Sequence, residues 1–361
     1  MNKTINVTQP FLPAYEAYEK YLKDIWERNW LTNNGPLVQE IEAKLKDYLG
    51  VKHLFFCGNG TIAIQMAIKA LRLQKEIITT PFSYVATTNS ILWENCKPLF
   101  ADITDYDFNI DTNKLSEKIT PQTEAILATH VYGNPCAVEK IEAVAKQNNL
   151  KVIYDGAHAF GTMYKGKSLL SYGDISTCSF HATKLFHTIE GGCVITNNDE
   201  LAHTIMLYRQ FGHIYDDYFT IGINGKNSEL HAAMGLCVLP CMDDIIENRK
   251  KICALYDEGT DGLPLQKPSP LPGTEYNYSY YPVVFESEEV LQKAKADLET
   301  INVFTRRYFY PSLNNLPYLS GGACPVSERI SVSVLALPLY YNLNESDVHR
   351  ITDSLRKTLN P

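Results

Sequence analysis

The sequence has no surplus of basic residues, no C-x-x-C pair, no long apolar run and no glycine fingerprint for a dinucleotide. Each absence excludes a class. Its 41 acidic residues outnumber its 33 lysines and arginines, for a formal net charge of −8. A nucleic-acid binder needs the opposite, a basic face, so no nucleic-acid partner is expected. A small anionic substrate stays open, because a local cluster of donors suffices to hold one. The nine cysteines are odd in number and irregular in spacing, a poor disulfide framework. They read as reduced, mostly buried thiols of a cytoplasmic protein. Cys237 and Cys241 stand one helical turn apart, but no His or Cys pair nearby completes a zinc site, so no metal is expected. Met1-Asn-Lys-Thr-Ile-Asn6 lacks the apolar core of a signal peptide, and no run is long enough to span a bilayer. No membrane partner is expected. Without G-x-G-x-x-G or a Walker lysine, neither an NAD-type oxidoreductase nor a P-loop NTPase is supported.

What is present is an ordinary globular composition, 45% hydrophobic and 20% charged over 361 residues, too long for one small domain. Between about 50 and 200, short apolar runs alternate with helical patterns. His53–Cys57, Glu76–Thr80, Leu99–Ile103, Ala125–Thr129, Val152–Asp155, Ile175–Phe180 and Cys193–Thr196 read as strands. Thr61–Leu71 places Ile64, Ile68 and Leu71 at helical spacing, and Ala137–Gln147 reads as a helix. This alternation predicts an α/β sheet covered on both faces, with ligands at the carboxyl ends of its strands. Near residue 250 the character changes. Pro264, Pro268, Pro270 and Pro272 punctuate a loop. Tyr276–Phe285 and Ile330–Leu337 then read as strands, Glu288–Thr300 and Glu345–Leu359 as helices. The chain divides on this reading into a large domain, 1–245, which includes the N-terminal segment, and a smaller α+β domain, 246–361. The boundary falls inside a helix around Met242–Tyr256.

Five features at expected strand ends carry chemistry. Gly58-Asn-Gly60-Thr61 is a strand-to-helix turn, whose free N–H groups and helix dipole suit a phosphate. Tyr84 follows Pro81-Phe-Ser, where an aromatic ring can stack on a flat cofactor. Asp155 ends an apolar strand, where a carboxylate is costly unless it meets a cation. His158 follows in an Ala/Gly-rich turn and can donate to an oxygen. Ser179-Phe-His-Ala-Thr-Lys184, with Glu190-Gly-Gly192 behind it, offers a lysine able to form an imine with an aldehyde and a serine within reach of a phosphate. Each has a plain alternative: a turn, a packing tyrosine, a helix cap, a core histidine, a solvated lysine.

Their joint order resembles the fold-type I enzymes of pyridoxal phosphate (PLP), and more narrowly the DegT/DnrJ/EryC1/StrS family of nucleotide-sugar aminotransferases. That family's Gly-Thr-x-Ala is similar to Gly60-Thr61-Ile62-Ala63, and its Asp-x-Ala-x-Ala-x-Gly to Asp155-Gly-Ala-His-Ala-Phe-Gly161. Its Ser-Phe-x-x-x-Lys resembles Ser179 to Lys184, and its Gly-x-Asn-x-Arg-Met-x-Glu-x-x-Ala-Ala resembles Gly222 to Ala233. Leu337-Pro-Leu-Tyr340 and Asn344-Glu-Ser-Asp347-Val348 resemble its closing segment. There are departures. His158 stands where glutamine is usual, and Lys226-Asn227 where Arg-Met is common. Some relatives with histidine at the lysine position are dehydratases, and Lys184 disfavours that reading.

The resemblance implies an aspartate-aminotransferase-like fold with a mainly parallel seven-stranded sheet and a smaller α+β C-terminal domain. It implies that Lys184 carries PLP and moves the proton, with Asp155 on the ring nitrogen, Tyr84 stacked on the ring and His158 on the ring oxygen. Gly60, Thr61 and Ser179 would hold the phosphate, joined by Asn224 from the partner subunit of a homodimer. L-Glutamate would be the amino donor and a nucleotide-linked keto-6-deoxy sugar the acceptor. Val7–Pro13 and Trp30–Pro36 look closest to enzymes aminating dTDP-4-keto-6-deoxyglucose at C4, giving dTDP-4-amino-4,6-dideoxyglucose for surface polysaccharides. Amination at C3 and a non-catalytic sugar-binding protein are the alternatives. Arg306, Arg307 and Tyr310 would meet the diphosphate, or else form a solvated basic pair.

Overall fold

The computed structural model describes residues 4–319 and 321–359. Seven strands form its main sheet: β1 (His53–Cys57), β2 (Glu76–Thr79), β3 (Lys97–Phe100), β4 (Thr123–Thr129), β5 (Lys151–Asp155), β6 (Ile175–Ser179) and β7 (Gly192–Thr196). Their order is β1-β7-β6-β5-β4-β2-β3. The run from β6 to β3 is parallel, and β7 is antiparallel to both its neighbours. The sheet is therefore the mainly parallel seven-stranded one that the resemblance implies. All strands but β7 end on one edge.

Period-two alternation explains the two covered faces. Along β4, Ala125 and Leu127 enter one core, while Ile126 and Ala128 enter the other. The main helices are α1 (Tyr15–Arg28), α2 (Pro36–Leu49), α3 (Gly60–Ala70), α4 (Val85–Trp93), α5 (Val138–Asn148), α6 (Asp199–Arg209), α7 (Glu229–Val238), α8 (Met242–Thr260), α9 (Glu288–Thr300), α10 (Pro325–Ser333) and α11 (Glu345–Leu359). Helix α3 brings Ala63, Ile64 and Ala67 onto the first face. Helix α2 brings Leu37, Ile41 and Leu45 onto the second. The N-terminus of α2 is capped from far along the chain. Buried Glu229 accepts from Leu37 N–H at 3.0 Å and Val38 N–H at 2.9 Å, and Arg28 Nη1 meets it at 3.2 Å.

Beyond residue 280, β8 (Tyr281–Val284) pairs antiparallel with β9 (Val334–Leu337). These strands share a core with α8, α9 and α11. Helix α8 spans both parts: Met242 and Ile245 lie in the first core, Ile252 and Tyr256 in the second. Ile5 also packs in the second core and bridges to Val303. A further cluster joins Phe82, Phe108 and Tyr132 to Tyr308, Phe309 and Ile330, which carries the Arg306–Phe309 segment to the sheet edge.

Two expected strands differ from those observed. Ile330–Leu337 is strand only from Val334. Pro325 at the first helical position starts α10, and Ser327, Ile330 and Ser331 turn to the interior at helical spacing, so packing overrides the β-branched run. Of Tyr276–Phe285, only Tyr281–Val284 extends. Upstream, buried Asn277 ties its amide to the carbonyls of His158 and Phe160 at 2.7 and 2.8 Å, and Tyr278 takes φ +54°. Those bonds hold a bend.

Candidate active site

A cleft of about 340 Å³ opens where β1, β2, β4, β5 and β6 end, within the usual range for small-molecule sites. Gly60, Thr61, Tyr84, Asp155, His158, Ser179, Lys184 and Arg306 all line it.

The β1–α3 turn forms one wall. Asn59 caps α3: its Oδ1 accepts from Ile62 N–H at 2.9 Å and its carbonyl from Ala63 N–H at 3.1 Å. The preceding N–H groups, of Gly60 and Thr61, keep no intrahelical acceptor. Close packing sets the residue types here. A Cβ on Gly60 would lie 2.9 Å from Ser179 Cβ, and one on Gly192 would lie 2.7 Å from the Gly60 nitrogen. Asn227 Nδ2 fastens the turn by donating to the carbonyls of Cys57 at 3.1 Å and Glu190 at 3.0 Å.

Asp155 lies at the floor, buried at the end of β5. Thr87 Oγ1 donates to its Oδ2 at 2.6 Å, and Ala157 N–H to its Oδ1 at 3.0 Å. Behind Thr87 the hydroxyls run in one direction. Ser83 lies 2.7 Å from Thr87, and Thr129 donates to Ser83 at 3.0 Å. Burial pushes the Asp155 carboxyl up, while Thr87, Ala157 N–H and the charge of Lys184 pull it back down. No ion pair reaches it among the described residues, so it remains a buried acid in want of a cation.

Lys184 sits in the excursion between β6 and β7. That loop closes on itself through Ala182 N–H to Ile189 O at 2.7 Å and Thr188 N–H to Phe180 O at 2.9 Å. Lys184 is half-buried, and its Nζ donates to the Tyr280 hydroxyl at 3.4 Å. His158 is buried, with Nε2 at 3.2 Å from the Tyr308 hydroxyl and Nδ1 without a protein partner. Burial, then Lys184 and Arg306, hold its imidazole well below the usual histidine range, so it is neutral. Tyr84 is half exposed at the mouth, and the Arg306 guanidinium lies 4.6 Å from the Tyr308 ring centre and 6.0 Å from that of Tyr84.

Three expected residues lie outside this cleft. Asn224 is exposed on the segment after α6, bridged to Gln210. Tyr310 is 49% exposed and covered by Arg307 at 3.5 Å, and Arg307 is engaged by Glu288 and the Val332 carbonyl. Sequence reasoning missed Thr87, Tyr280 and Tyr308. For Thr87 a signal was available: Ser83 and Thr87 stand four residues apart across the start of α4, just after a strand end.

The donor set fits PLP. It offers free N–H groups at a helix start for a phosphate, a buried acid for a ring cation, an exposed aromatic ring, an unpartnered imidazole nitrogen and a lysine.

The comparisons with known proteins agree. The DegT/DnrJ/EryC1/StrS aminotransferase family matches residues 14–356. The chain is 41% identical to a dTDP-4-amino-4,6-dideoxy-D-glucose transaminase of Shigella dysenteriae, covering 99% of this chain and 100% of that one. It is 40% identical to the protein of the same name from Escherichia coli, covering 98% of each. Among solved structures, DesI in the presence of its TDP-sugar product superposes with a TM-score of 0.93 at 31% identity, covering 99% of this chain and 93% of DesI. The chain belongs to the DegT/DnrJ/EryC1/StrS aminotransferase family.

Proposed function

We propose that this aminotransferase uses PLP to move an amino group from L-glutamate to C4 of dTDP-4-keto-6-deoxy-D-glucose, giving dTDP-4-amino-4,6-dideoxy-D-glucose. The observation that carries the chemistry is the meeting of Lys184, buried Asp155 and the open N–H groups of Gly60 and Thr61 in one cleft. The choice of sugar follows the two full-length relatives at 41% and 40% identity.

When bound, PLP supplies an electron sink that lets an amine and a ketone interconvert. The protein's part is positioning and proton handling. Gly60 and Thr61 N–H groups and the Ser179 hydroxyl bind the phosphate. Asp155 holds a proton on the ring nitrogen. Tyr84 would orient the ring from the open side, and His158, whose Nδ1 has no protein partner, would meet the ring oxygen. Lys184 anchors the cofactor through Nζ, then takes and returns a proton at that nitrogen. Arg306 meets the substrate diphosphate.

A homodimer completes this reading. Phe211, Tyr215, Tyr218, Phe219 and Ile221 stand 48–91% exposed on one projecting segment, an apolar surface that a second copy would cover. Asn224 leaves that segment to reach the other subunit's phosphate. We read 1–245 and 246–361 as two domains joined through α8, and place the enzyme in the cytoplasm. Among the described residues, no helix is long and apolar enough to cross a membrane.

The test is a panel of nucleotide keto sugars with glutamate, with product regiochemistry read by NMR. Amination at C4 of the dTDP sugar is the expected result, and exclusive amination at C3 overturns the assignment. A protein that gains no absorbance near the visible edge with PLP refutes the enzyme reading itself. Lys184→Ala is expected to abolish turnover yet still bind pyridoxamine phosphate, and wild-type turnover in that variant removes Lys184 from its role.

A further inference from the structure

His187 lines no part of the cleft, yet it lies buried in the loop that presents Lys184. Both of its ring nitrogens meet backbone groups, and a backbone N–H or carbonyl has only one role. Nδ1 accepts from Ile189 N–H at 3.3 Å, and Nε2 donates to the Phe11 carbonyl at 2.6 Å. A neutral imidazole has one donor and one acceptor, so these two partners together require the proton on Nε2. Burial holds the ring below the usual histidine range, with the bond to Phe11 opposing that shift and His181 adding to it.

Each partner bears on Lys184. Ile189 takes φ +68°, a region that suits glycine and strains a β-branched residue. Its side chain, 40% exposed, offers little packing to offset that strain. Its carbonyl accepts from Ala182 N–H at 2.7 Å, which closes the loop around Lys184. The bond to His187 Nδ1 holds Ile189 by its N–H in this conformation. Phe11 belongs to the N-terminal segment, which runs along the C-terminal part of the chain. Ile5 bridges to Val303, the Val7 carbonyl accepts from Leu339 N–H at 3.1 Å, and Phe11 packs edge-on to Tyr341 at 5.0 Å. One imidazole therefore ties the Lys184 loop to a segment that is itself fastened elsewhere.

We propose that His187 is a positioning residue for Lys184: its Nε2–H tautomer holds Ile189 in the left-handed conformation and ties the loop to the N-terminal segment, and so fixes where the lysine nitrogen stands in the cleft. The proposal rests on the reading that Lys184 carries the cofactor.

Nitrogen-15 NMR of histidine-labelled, cofactor-free protein reads the tautomer, with the His187 signal assigned by its loss in His187→Asn. The Nε2–H form is expected, and the Nδ1–H form or an imidazolium at neutral pH overturns the proposal. The positioning is read by the rate at which added PLP gains its band near the visible edge, a band expected to be absent in Lys184→Ala. His187→Phe keeps a ring and loses both bonds, so that rate should fall about tenfold, the scale of one modest hydrogen bond. Inorganic phosphate, which the β1–α3 turn would hold, should bind within twofold of wild type. His187→Asn puts an amide oxygen near the Nδ1 position and should recover most of the rate. Ile189→Gly in the His187→Phe background should also restore it, because glycine takes a positive φ unaided. A wild-type rate in His187→Phe, phosphate affinity that falls in step with the rate, or no recovery by either change makes His187 a packing residue only and overturns the proposal. Should His187→Phe fail to fold, His187→Gln, whose amide stands near the Nε2 position, takes its place in the same comparison. Wild type that gains no band refutes the functional reading, and with it any role at Lys184, while the tautomer still decides the two bonds.

Discussion

Thr87→Val is the most informative perturbation of the floor of the cleft. The side chain keeps its shape and loses only the hydroxyl. That hydroxyl donates to Asp155 Oδ2 at 2.6 Å in a buried setting and is the last link of the Thr129–Ser83–Thr87 series. A hydrogen bond to a charged acceptor contributes about 1.5–3 kcal/mol, and Ser83 loses its acceptor as well. At about 1.4 kcal/mol per tenfold change, PLP affinity should fall roughly 10- to 150-fold. The pH dependence has a definite sign. Burial already raises Asp155, and Thr87 opposes that rise. The ionised acid is the form that pairs with a ring cation, so affinity is present above the folded-state pKa and lost as pH falls through it. Removing Thr87 raises that pKa further, so the loss should begin at higher pH in the variant. Absorbance titration with PLP across pH measures both effects, with the melting temperature of the cofactor-free protein as a folding control. A dissociation constant within twofold of wild type and an unshifted pH profile would show that Asp155 is not the cofactor's anchor.

Two further outcomes are expected. Gly60→Ala should weaken PLP binding and favour release of the phosphate end, because its Cβ would lie 2.9 Å from Ser179 Cβ and force the turn away from β6; unchanged binding of inorganic phosphate and PLP would contradict this. His130 is fully buried, stacks 4.5 Å from Tyr154, and burial lowers its pKa from 6.5 to about 3. Its folded pKa is below its unfolded one, so the stability it contributes is present above pH 6.5 and lost as pH falls toward 3. Between pH 6.5 and 4.5 that loss is about 3 kcal/mol at most. Urea unfolding of His130→Asn should show a correspondingly smaller acid loss than wild type, and parallel pH curves for the two would refute the assignment.

The sheet was legible because both of its faces are buried. Its strands are short apolar runs bounded by Gly, Pro, Asn and Asp, and six of the seven match their expected spans to within two residues at each end. The seventh, expected at Leu99–Ile103, starts at Lys97 and ends at Phe100. The strands that misled lie in the C-terminal part. Ile330, Val332 and Val334 alternate as a strand would, yet Pro325 and the packing of Ile330 against Phe82 and Phe309 wind the segment into α10. Helices α1 and α2 carried no expectation. The cap that settles α2 comes from Glu229, 191 residues away, and nothing near Pro36 announces it.

The candidate site divides along a similar line. Lys184, Asp155, Gly60 and Ser179 were legible because each residue type suits one kind of chemistry. A lysine forms an imine, a buried aspartate holds a cation, and a glycine beside a serine admits a phosphate. Thr87 touches Asp155, Tyr280 touches Lys184 and Tyr308 touches His158, but threonine and tyrosine are chemically common, and this chain has 23 tyrosines. Tyr308 stands 150 residues from the His158 it contacts, and Tyr280 stands 96 from Lys184. Spacing along the chain carries no trace of either contact. The fold supplies them through the cluster that docks Tyr308 and Phe309 against Phe82 and Tyr132. The Tyr308–His158 contact at the cleft therefore depends on packing between segments far apart in the chain. A substitution in that cluster that leaves every expected site residue intact, such as one that shifts Phe309 away from the His158 ring it stacks on at 5.6 Å, should loosen the Tyr308–His158 contact before it touches Lys184 or Asp155.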